Sequence, residues 1–159
     1  MKIEALPKIV GVAASWLTTI LVVIIFVDVV RRYLFDATAV WMLDLEWHLF
    51  AAVFLLGAAY TLGEDKHVRV DVFYNNFSKK KKAWINIIGT VFLLIPWALL
   101  IVTKSFNYAM NSWYIREGSA EPDGLGARYI IKFVIVIGFI LLLIQAFTVL
   151  YKNIRTLRT

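Results

Sequence analysis

Four long runs of apolar residues constrain this chain more than any other feature of its sequence. They cover residues 9–30, 40–62, 83–102 and 129–150, and each contains few charged side chains. A helix needs about 20 such residues to cross the ~30 Å hydrocarbon core of a bilayer. The composition agrees, since 61% of the residues are hydrophobic and the mean hydropathy is +0.75. A soluble domain is about 45–50% apolar, so one soluble core would not bury this excess.

The runs predict an all-α integral membrane protein. Helices are the only sensible form for them, because unpaired amides are costly in lipid and four isolated strands could not close a barrel. We therefore expect one domain over residues 1–159 with four transmembrane helices. Between the second and third spans, the segment VDVFYNNF at residues 70–77 and the lysines after it predict a short interfacial helix.

One proline and several small residues indicate how these helices bend and pack. Pro96 lies inside the third run and lacks an amide hydrogen, which predicts a loosened helix around Phe92. Small residues let helix backbones approach closely in a membrane. The small residues at 57–59 and Gly138 therefore predict close helix contacts, either within the chain or at a subunit interface.

The basic residues predict the orientation of the chain. Most lie before the first run, in the second connection and after the fourth run, at Lys2, Lys8, Lys66, Arg69, Lys79, Lys80, Lys81, Lys82, Lys152, Arg155 and Arg158. The connections on the other side hold fewer. Because basic residues accumulate on the cytoplasmic side, both termini and the 64–82 loop are expected in the cytoplasm.

The net charge of +6 follows from the same distribution. Anionic lipid head groups attract basic segments by about 1 kcal/mol per residue, so membrane lipids are expected partners. The short run at residues 79–82 is too little for a folded nucleic-acid surface, and no nucleic-acid partner is expected. The chain has no cysteine, which excludes disulfides and thiolate metal sites.

Few residues in the chain carry reactive chemistry. His48 and His67 are the only histidines, and the predicted topology places them at opposite faces of the membrane, where they cannot share a haem or a zinc ion. His67 and Asp71 are spaced to order a loop by hydrogen bonding. No phosphate-binding loop or nucleophile elbow is present. We therefore expect no enzyme activity, no cofactor and no metal.

Charged residues at the outer ends of the first two spans are candidates for structural or interface roles. Asp28 precedes Arg31 and Arg32 by three and four residues, so these side chains share a helix face and can neutralise one another. Glu46 begins the second span on the same side. A carboxylate there would pair with one of these arginines or with a cation of a partner subunit.

The connection from Thr103 to Arg128 is the largest predicted outer segment. Its sequence EGSAEPDGLG is rich in glycine, proline and acidic residues, which predicts a turn-rich loop. Such a loop is either a plain connection or a contact site for an external partner.

Taken together, the ordered motifs resemble one transporter family. The pattern is Arg32-Tyr33, Trp41, Glu46, then FLLGAA at residues 54–59 and HVRVD at residues 67–71. It is similar to the small membrane subunit of tripartite ATP-independent periplasmic (TRAP) transporters, and the resemblance extends over nearly the whole chain.

The resemblance implies a supporting role in the bacterial inner membrane. In that family a periplasmic substrate-binding protein captures an organic acid, and a large membrane subunit carries it across using a sodium gradient. The small subunit scaffolds the large one, has no chemistry of its own and binds no substrate directly. Structural or subunit-interface positions would then be Asp28, Arg31, Arg32, Glu46, Gly57, His67, Arg69 and Asp71.

Two other functions are compatible with four apolar spans. A self-sufficient proton-coupled transporter would use Glu46 as its coupling carboxylate, although such a group usually lies nearer the middle of the membrane. A respiratory-complex subunit would normally need two intramembrane histidines on facing helices. The substrate class is open between sialic acids and C4-dicarboxylates, with overall resemblance favouring sialic acid.

Overall fold

The computed structural model describes residues 5–64, 74 and 76–158. Within these residues four helices are long and apolar enough to cross a membrane. They are α1 (Ala5–Phe35), α2 (Val40–Gly63), α3 (Lys79–Tyr114) and α4 (Tyr129–Arg158). The predicted all-α fold with four spans is confirmed, and each helix contains its predicted apolar run. Most of the predicted interfacial helix, residues 70–73 and 75, lies outside the described residues.

Local chemistry explains where two of the helices begin and end. The Ser78 hydroxyl caps α3 by accepting a hydrogen bond from the Lys81 amide at 3.4 Å. After α1, Asp36 adopts a left-handed backbone with φ 48°, a conformation that aspartate tolerates better than most residues. The chain therefore turns sharply into the short 36–39 link before α2.

A π-helical segment at Thr90–Leu94 interrupts the α-helical pattern of α3. Pro96 lies two residues after this segment and cannot donate a hydrogen bond to the carbonyl of Phe92. The predicted loosening around Phe92 is thus confirmed, and it takes the form of a π segment within a helix that continues to Tyr114.

The four helices form an open row rather than a closed bundle. α1 packs on α2, α2 packs on α4, and α4 packs on α3, whereas α1 touches α4 only slightly. α4 is the most buried helix. The row has two ends. The lysine end holds Lys8, residues 79–82 and Lys152, and the loop end holds the connections 36–39 and 115–128.

Small residues set the spacing between neighbouring helices. A Cβ added at Gly138 of α4 would lie 2.8 Å from the backbone oxygen of Leu55 in α2. Ala59, one turn after Leu55 in α2, is fully buried. Intrachain packing therefore accounts for Gly138 and Ala59. A Cβ at Gly57 would meet no atom within 4 Å among the described residues, so packing within the chain does not require that glycine.

Large apolar side chains cover the outside of the row. Trp16 and Phe54 are each 69% exposed and Phe92 is 72% exposed. Soluble proteins rarely present such continuous apolar surface to water. The exposed faces are therefore surfaces for lipid or for partner helices.

Candidate functional site

The loop end of α1 and α2 brings several ionisable side chains together. Asp28 on α1 is only 2% exposed, and its Oδ2 accepts a charge-assisted hydrogen bond from Arg32 one turn later. Its other oxygen, Oδ1, is buried without a hydrogen-bond partner among the described residues. The predicted pairing of Asp28 with Arg32 is confirmed.

Glu46 on α2 faces this ion pair. Asp28 and Arg32 are the charged groups that act on it electrostatically. Oε1 of Glu46 is buried and has no hydrogen-bond partner among the described residues. Two carboxylates thus lie near one guanidinium, which pairs with Asp28, and the charge of Glu46 has no ion-pair partner among the described residues.

Arg31 does not neutralise this charge. Its Nη1 donates to the thioether sulfur of Met42 at 2.8 Å, and sulfur is a weak acceptor. The expectation that Arg31 joins the ion pair with Asp28 is therefore wrong. Met42 lies one helical turn before Glu46, so the Arg31 head group is held nearer the N-terminus of α2.

A cleft of about 280 Å³ opens beside Glu46. Its walls are apolar apart from that carboxylate, and its lining residues are Leu21, Ile25, Leu43, Glu46, Trp47 and Phe50. We call this the α1–α2 cleft. An apolar pocket with one unpaired carboxylate is suited to receive a long basic side chain, whose methylene stem packs while its head group pairs.

Asp44 fastens the outer loop to α2. Its carboxylate accepts hydrogen bonds from the Leu125 amide at 2.9 Å and from the Trp47 indole at 3.0 Å. A Cβ added at Gly124 would lie 2.7 Å from Oδ2 of Asp44, so the glycine makes room for the carboxylate. Sequence analysis missed this role. The available signal was an acidic residue inside an apolar run, which needs a local partner.

A second contact holds the other side of the loop. Lys132 of α4 donates to Glu117, and its Nζ lies 3.8 Å above the ring of Tyr108. The hydrogen bond from Lys132 is the main reason why the pKa of Glu117 lies below its ordinary value. A lysine within an apolar run likewise predicts a nearby acidic partner, although the sequence does not say which one.

The loop itself is folded by backbone contacts. The Ser119 amide donates to the carbonyl of Leu125 at 2.8 Å, and the Arg128 amide donates to that of Glu117 at 2.9 Å. Left-handed backbone occurs at Arg116, Asp123 and Ala127. The predicted turn-rich loop is confirmed, and its position over α2 is fixed by side chains.

The remaining predicted positions lie apart from these contacts. Gly57 is in the second half of α2, and His67, Arg69 and Asp71 fall outside the described residues. His48 makes local contacts: its Nδ1 lies 2.5 Å from the Asp44 carbonyl oxygen, and the centroid of its ring lies 3.8 Å from that of Trp47, with the two rings tilted by 35°. In the described part of the chain, no three His, Asp or Glu side chains cluster in a way that could hold a metal ion.

Comparisons with known proteins agree with this architecture. The family described as tripartite ATP-independent periplasmic transporters, DctQ component, matches residues 21–156. The chain is also similar to the C4-dicarboxylate TRAP transporter small permease protein DctQ of Vibrio cholerae serotype O1, with 27% identity over 105 residues. That alignment covers 63% of this chain and 45% of the relative, so the chain matches less than half of the relative's length.

The family match extends from the second half of α1 into α4 and includes the charged contacts of the loop end. The family is a component of a transporter and not an enzyme. The chain therefore belongs to the DctQ component family of tripartite ATP-independent periplasmic transporters.

Proposed function

We propose that this chain is the non-catalytic scaffold for the large membrane subunit of a sodium-coupled TRAP transporter. The open row of helices is the observation that carries the proposal. α1 and α3 each pack against one main neighbour, so much of their apolar surface is left uncovered. A row of long helices can pack its uncovered face against a larger membrane protein and make that protein more rigid.

The described helices also lack the features of a substrate site. Transporter sites near the bilayer midplane are usually built from broken helices with exposed backbone polar groups. Among the four described spans, only the π segment of α3 departs from the α-helical pattern, and its surroundings are apolar. Glu46 lies in the first third of α2, near the loop end, and this position disfavours a role as a midplane proton carrier.

The α1–α2 cleft is the proposed docking point on this scaffold. Glu46 is half-buried, and a charged oxygen such as its Oε1 is costly to bury without a partner. A lysine or arginine of the large subunit that enters the cleft would pair with Glu46 and relieve this cost. Gly57, with open space beside it, is a second proposed contact. His67, Arg69 and Asp71 are proposed to order the second connection.

The orientation follows the distribution of basic residues. Lys8, residues 79–82 and Lys152 share the lysine end, which we assign to the cytoplasm. The loop end then faces the periplasm of a bacterial inner membrane. There the loop at 115–128, held by Asp44 and Lys132, presents a folded surface to the periplasmic binding protein.

The transported molecule is proposed to be an organic acid of the C4-dicarboxylate or sialic acid class. The name of the Vibrio cholerae relative refers to C4-dicarboxylates. Selection among such acids would belong to the binding protein and the large subunit, since the proposed role of this chain involves no direct contact with substrate.

Co-purification of the chain with its large subunit tests the docking point. Glu46→Gln removes the charge while keeping nearly the same shape, and it should weaken the complex by about ten- to a hundredfold, as expected for a buried charge-assisted pair. Glu121→Gln on the exposed loop serves as the control, with no loss expected. Retained affinity in Glu46→Gln would remove the cleft as a docking point. In a separate transport assay, a changed substrate profile for Glu46→Gln would indicate direct contact with substrate.

A further inference from the structure

An apolar groove of about 600 Å³ runs along the outside of α3. It extends over residues 89–100 and includes the π-helical segment. The large side chains that border it are Phe92, Leu93 and Trp97, which are 72%, 72% and 61% exposed. We call this the α3 groove. Because α3 is the outermost helix of the row on the side opposite α1, the groove is separate from the α1–α2 cleft.

Gly89 lies at the start of the α3 groove and leaves it open. A Cβ added at Gly89 would meet no atom within 4 Å among the described residues. Packing within the chain therefore does not require a glycine there, although glycine weakens a helix more than alanine would. The position thus leaves room for a molecule that packs against α3 from outside.

The shape of the α3 groove favours a flexible chain over a partner helix. Helices that pack tightly in a membrane usually meet at small residues, which let the backbones approach each other. Phe92, Leu93 and Trp97 instead project from α3 and would keep a partner helix away from its backbone. An acyl chain is thin enough to lie between such side chains. The groove therefore fits a lipid tail.

The lysines at the start of α3 indicate which lipid it is. Ile85 and Gly89 follow Lys81 at intervals of four residues, so the three positions share one side of the α-helical segment that leads into the α3 groove. Residues 79–81 are exposed and form no ion pair with any residue that the structure describes. Nζ of Lys81 lies 3.9 Å from the ring centre of Phe77, which positions the side chain without neutralising it. This charge favours an anionic head group.

The distance between the lysines and the α3 groove matches one leaflet of a bilayer. Half of a bilayer with its head groups is about 20–22 Å thick, which corresponds to about 13–15 residues of helix. Counted from Lys81, this distance ends between Leu94 and Pro96, in the middle of the groove. A phospholipid with its head group at Lys81 therefore has chains long enough to enter the groove.

We infer that the α3 groove binds an acyl chain of an anionic phospholipid whose head group lies against Lys81 and the exposed lysines beside it. The groove gives this lipid a defined position, beyond the general attraction of head groups to basic residues. The inference does not rest on the proposed function, because it concerns lipid binding by this chain alone.

Native mass spectrometry of the full-length chain in detergent tests the inference. After delipidation the wild-type protein should retain one phosphatidylglycerol, in preference to phosphatidylcholine with the same acyl chains. Lys81→Gln should lower this retention about tenfold through the loss of one charge-assisted contact, whereas Lys81→Arg should retain the lipid normally. Gly89→Leu should also lower retention about tenfold, because the new side chain fills the groove.

Two substitutions outside the α3 groove are the matched controls. Lys104→Gln removes the charge of an exposed lysine of α3 that lies beyond the groove. Val23→Phe adds bulk at a position of α1 that is 55% exposed. Both variants should retain phosphatidylglycerol as wild type does.

A short-chain phosphatidylglycerol separates the α3 groove from charge attraction alone. It carries the same head group, but its chains do not reach Gly89, so wild type and Gly89→Leu should retain it equally weakly. Equal retention of the long-chain lipid by wild type and Gly89→Leu, or by Lys81→Gln and Lys104→Gln, would overturn the inference. So would a wild-type dimer that is lost in Gly89→Leu, because the groove would then bind a second copy. Lys81 is exposed, so its variant remains a test even where Gly89→Leu fails to fold.

Discussion

Asp28 and Glu46 place two carboxylates beside one guanidinium at the contact between α1 and α2. The spacing of Asp28 and Arg32 within one helix was sufficient to predict their ion pair. The partner of Arg31 was not predictable from spacing within one helix. Its interaction with Met42 depends on how α1 and α2 pack against each other, which a single sequence does not specify. The lack of a hydrogen-bond partner for Oε1 of Glu46 also depends on this helix packing and was not predictable from the sequence.

Glu46→Gln should stabilise the isolated chain while it weakens assembly. In the isolated chain the substitution removes the charge of a half-buried carboxylate whose Oε1 has no hydrogen-bond partner among the described residues. Thermal unfolding in detergent should show a higher midpoint for Glu46→Gln than for wild type. Asp28→Asn is the contrasting variant, because it breaks the ion pair with Arg32 and should lower the midpoint. A lower midpoint for both variants would show that Glu46 already has a stabilising partner within the chain.

Glu117 gives the loop end a defined response to acid. Because its pKa is lowered in the folded protein, its contact with Lys132 stabilises the fold fully above the ordinary value of 4.5. This contribution is lost as the pH falls below that value and through the lowered pKa. Hydrogen exchange of residues 115–128, corrected for intrinsic rates, should therefore accelerate only below about pH 4.5. Glu117→Gln should exchange faster at neutral pH and lose this dependence, and an unchanged profile in the variant would refute the assignment.

Helices α1 to α4 were predictable because the length of an apolar run is set by the thickness of the bilayer. Their ends were less predictable. α3 continues to Tyr114 and α4 continues to Arg158, well past the apolar runs. Outside the lipid a helix can also be formed by polar residues, so the end of an apolar run does not mark the end of the helix. The loosened turn before Pro96 was also predictable, since proline removes a specific hydrogen bond. The contacts of Asp44 and Lys132 were not, because they connect residues that are distant in sequence.

The α2–α4 contact should depend on Gly138 and not on Gly57. Gly138→Val forces a side chain against the Leu55 backbone and should cost about 1–3 kcal/mol of unfolding free energy. For a chain of this size, each kcal/mol corresponds to about 2–4 °C in the unfolding midpoint. Gly57→Val is the matched control, with open space around the new side chain, and should leave the midpoint of the isolated chain nearly unchanged. Equal losses in both variants would contradict the described α2–α4 packing.

The whole molecule is a row of four helices with lysines at one end and a folded loop at the other. This arrangement has one interior helix contact, between α2 and α4, and broad apolar faces on either side. Composition and run length were enough to predict a four-span protein. The open order α1, α2, α4, α3 was not, because it depends on which apolar faces pack together, and all four helices are apolar on most sides.

Cysteine accessibility should establish the orientation of the row. The chain has no native cysteine, so single cysteines at exposed positions 79 and 120 can be labelled without background. A membrane-impermeant maleimide added to intact spheroplasts should label position 120 and reach position 79 only after lysis. The reverse pattern would place the lysine end outside and overturn the proposed topology.

Uptake of an organic acid into proteoliposomes tests the scaffold role most directly. We expect no uptake by this chain alone under a sodium gradient. Uptake should appear only when the large subunit is present and the periplasmic binding protein supplies the substrate, and Glu46→Gln should reduce it without changing which acid is taken up. Robust uptake by this chain without a second subunit would contradict the account.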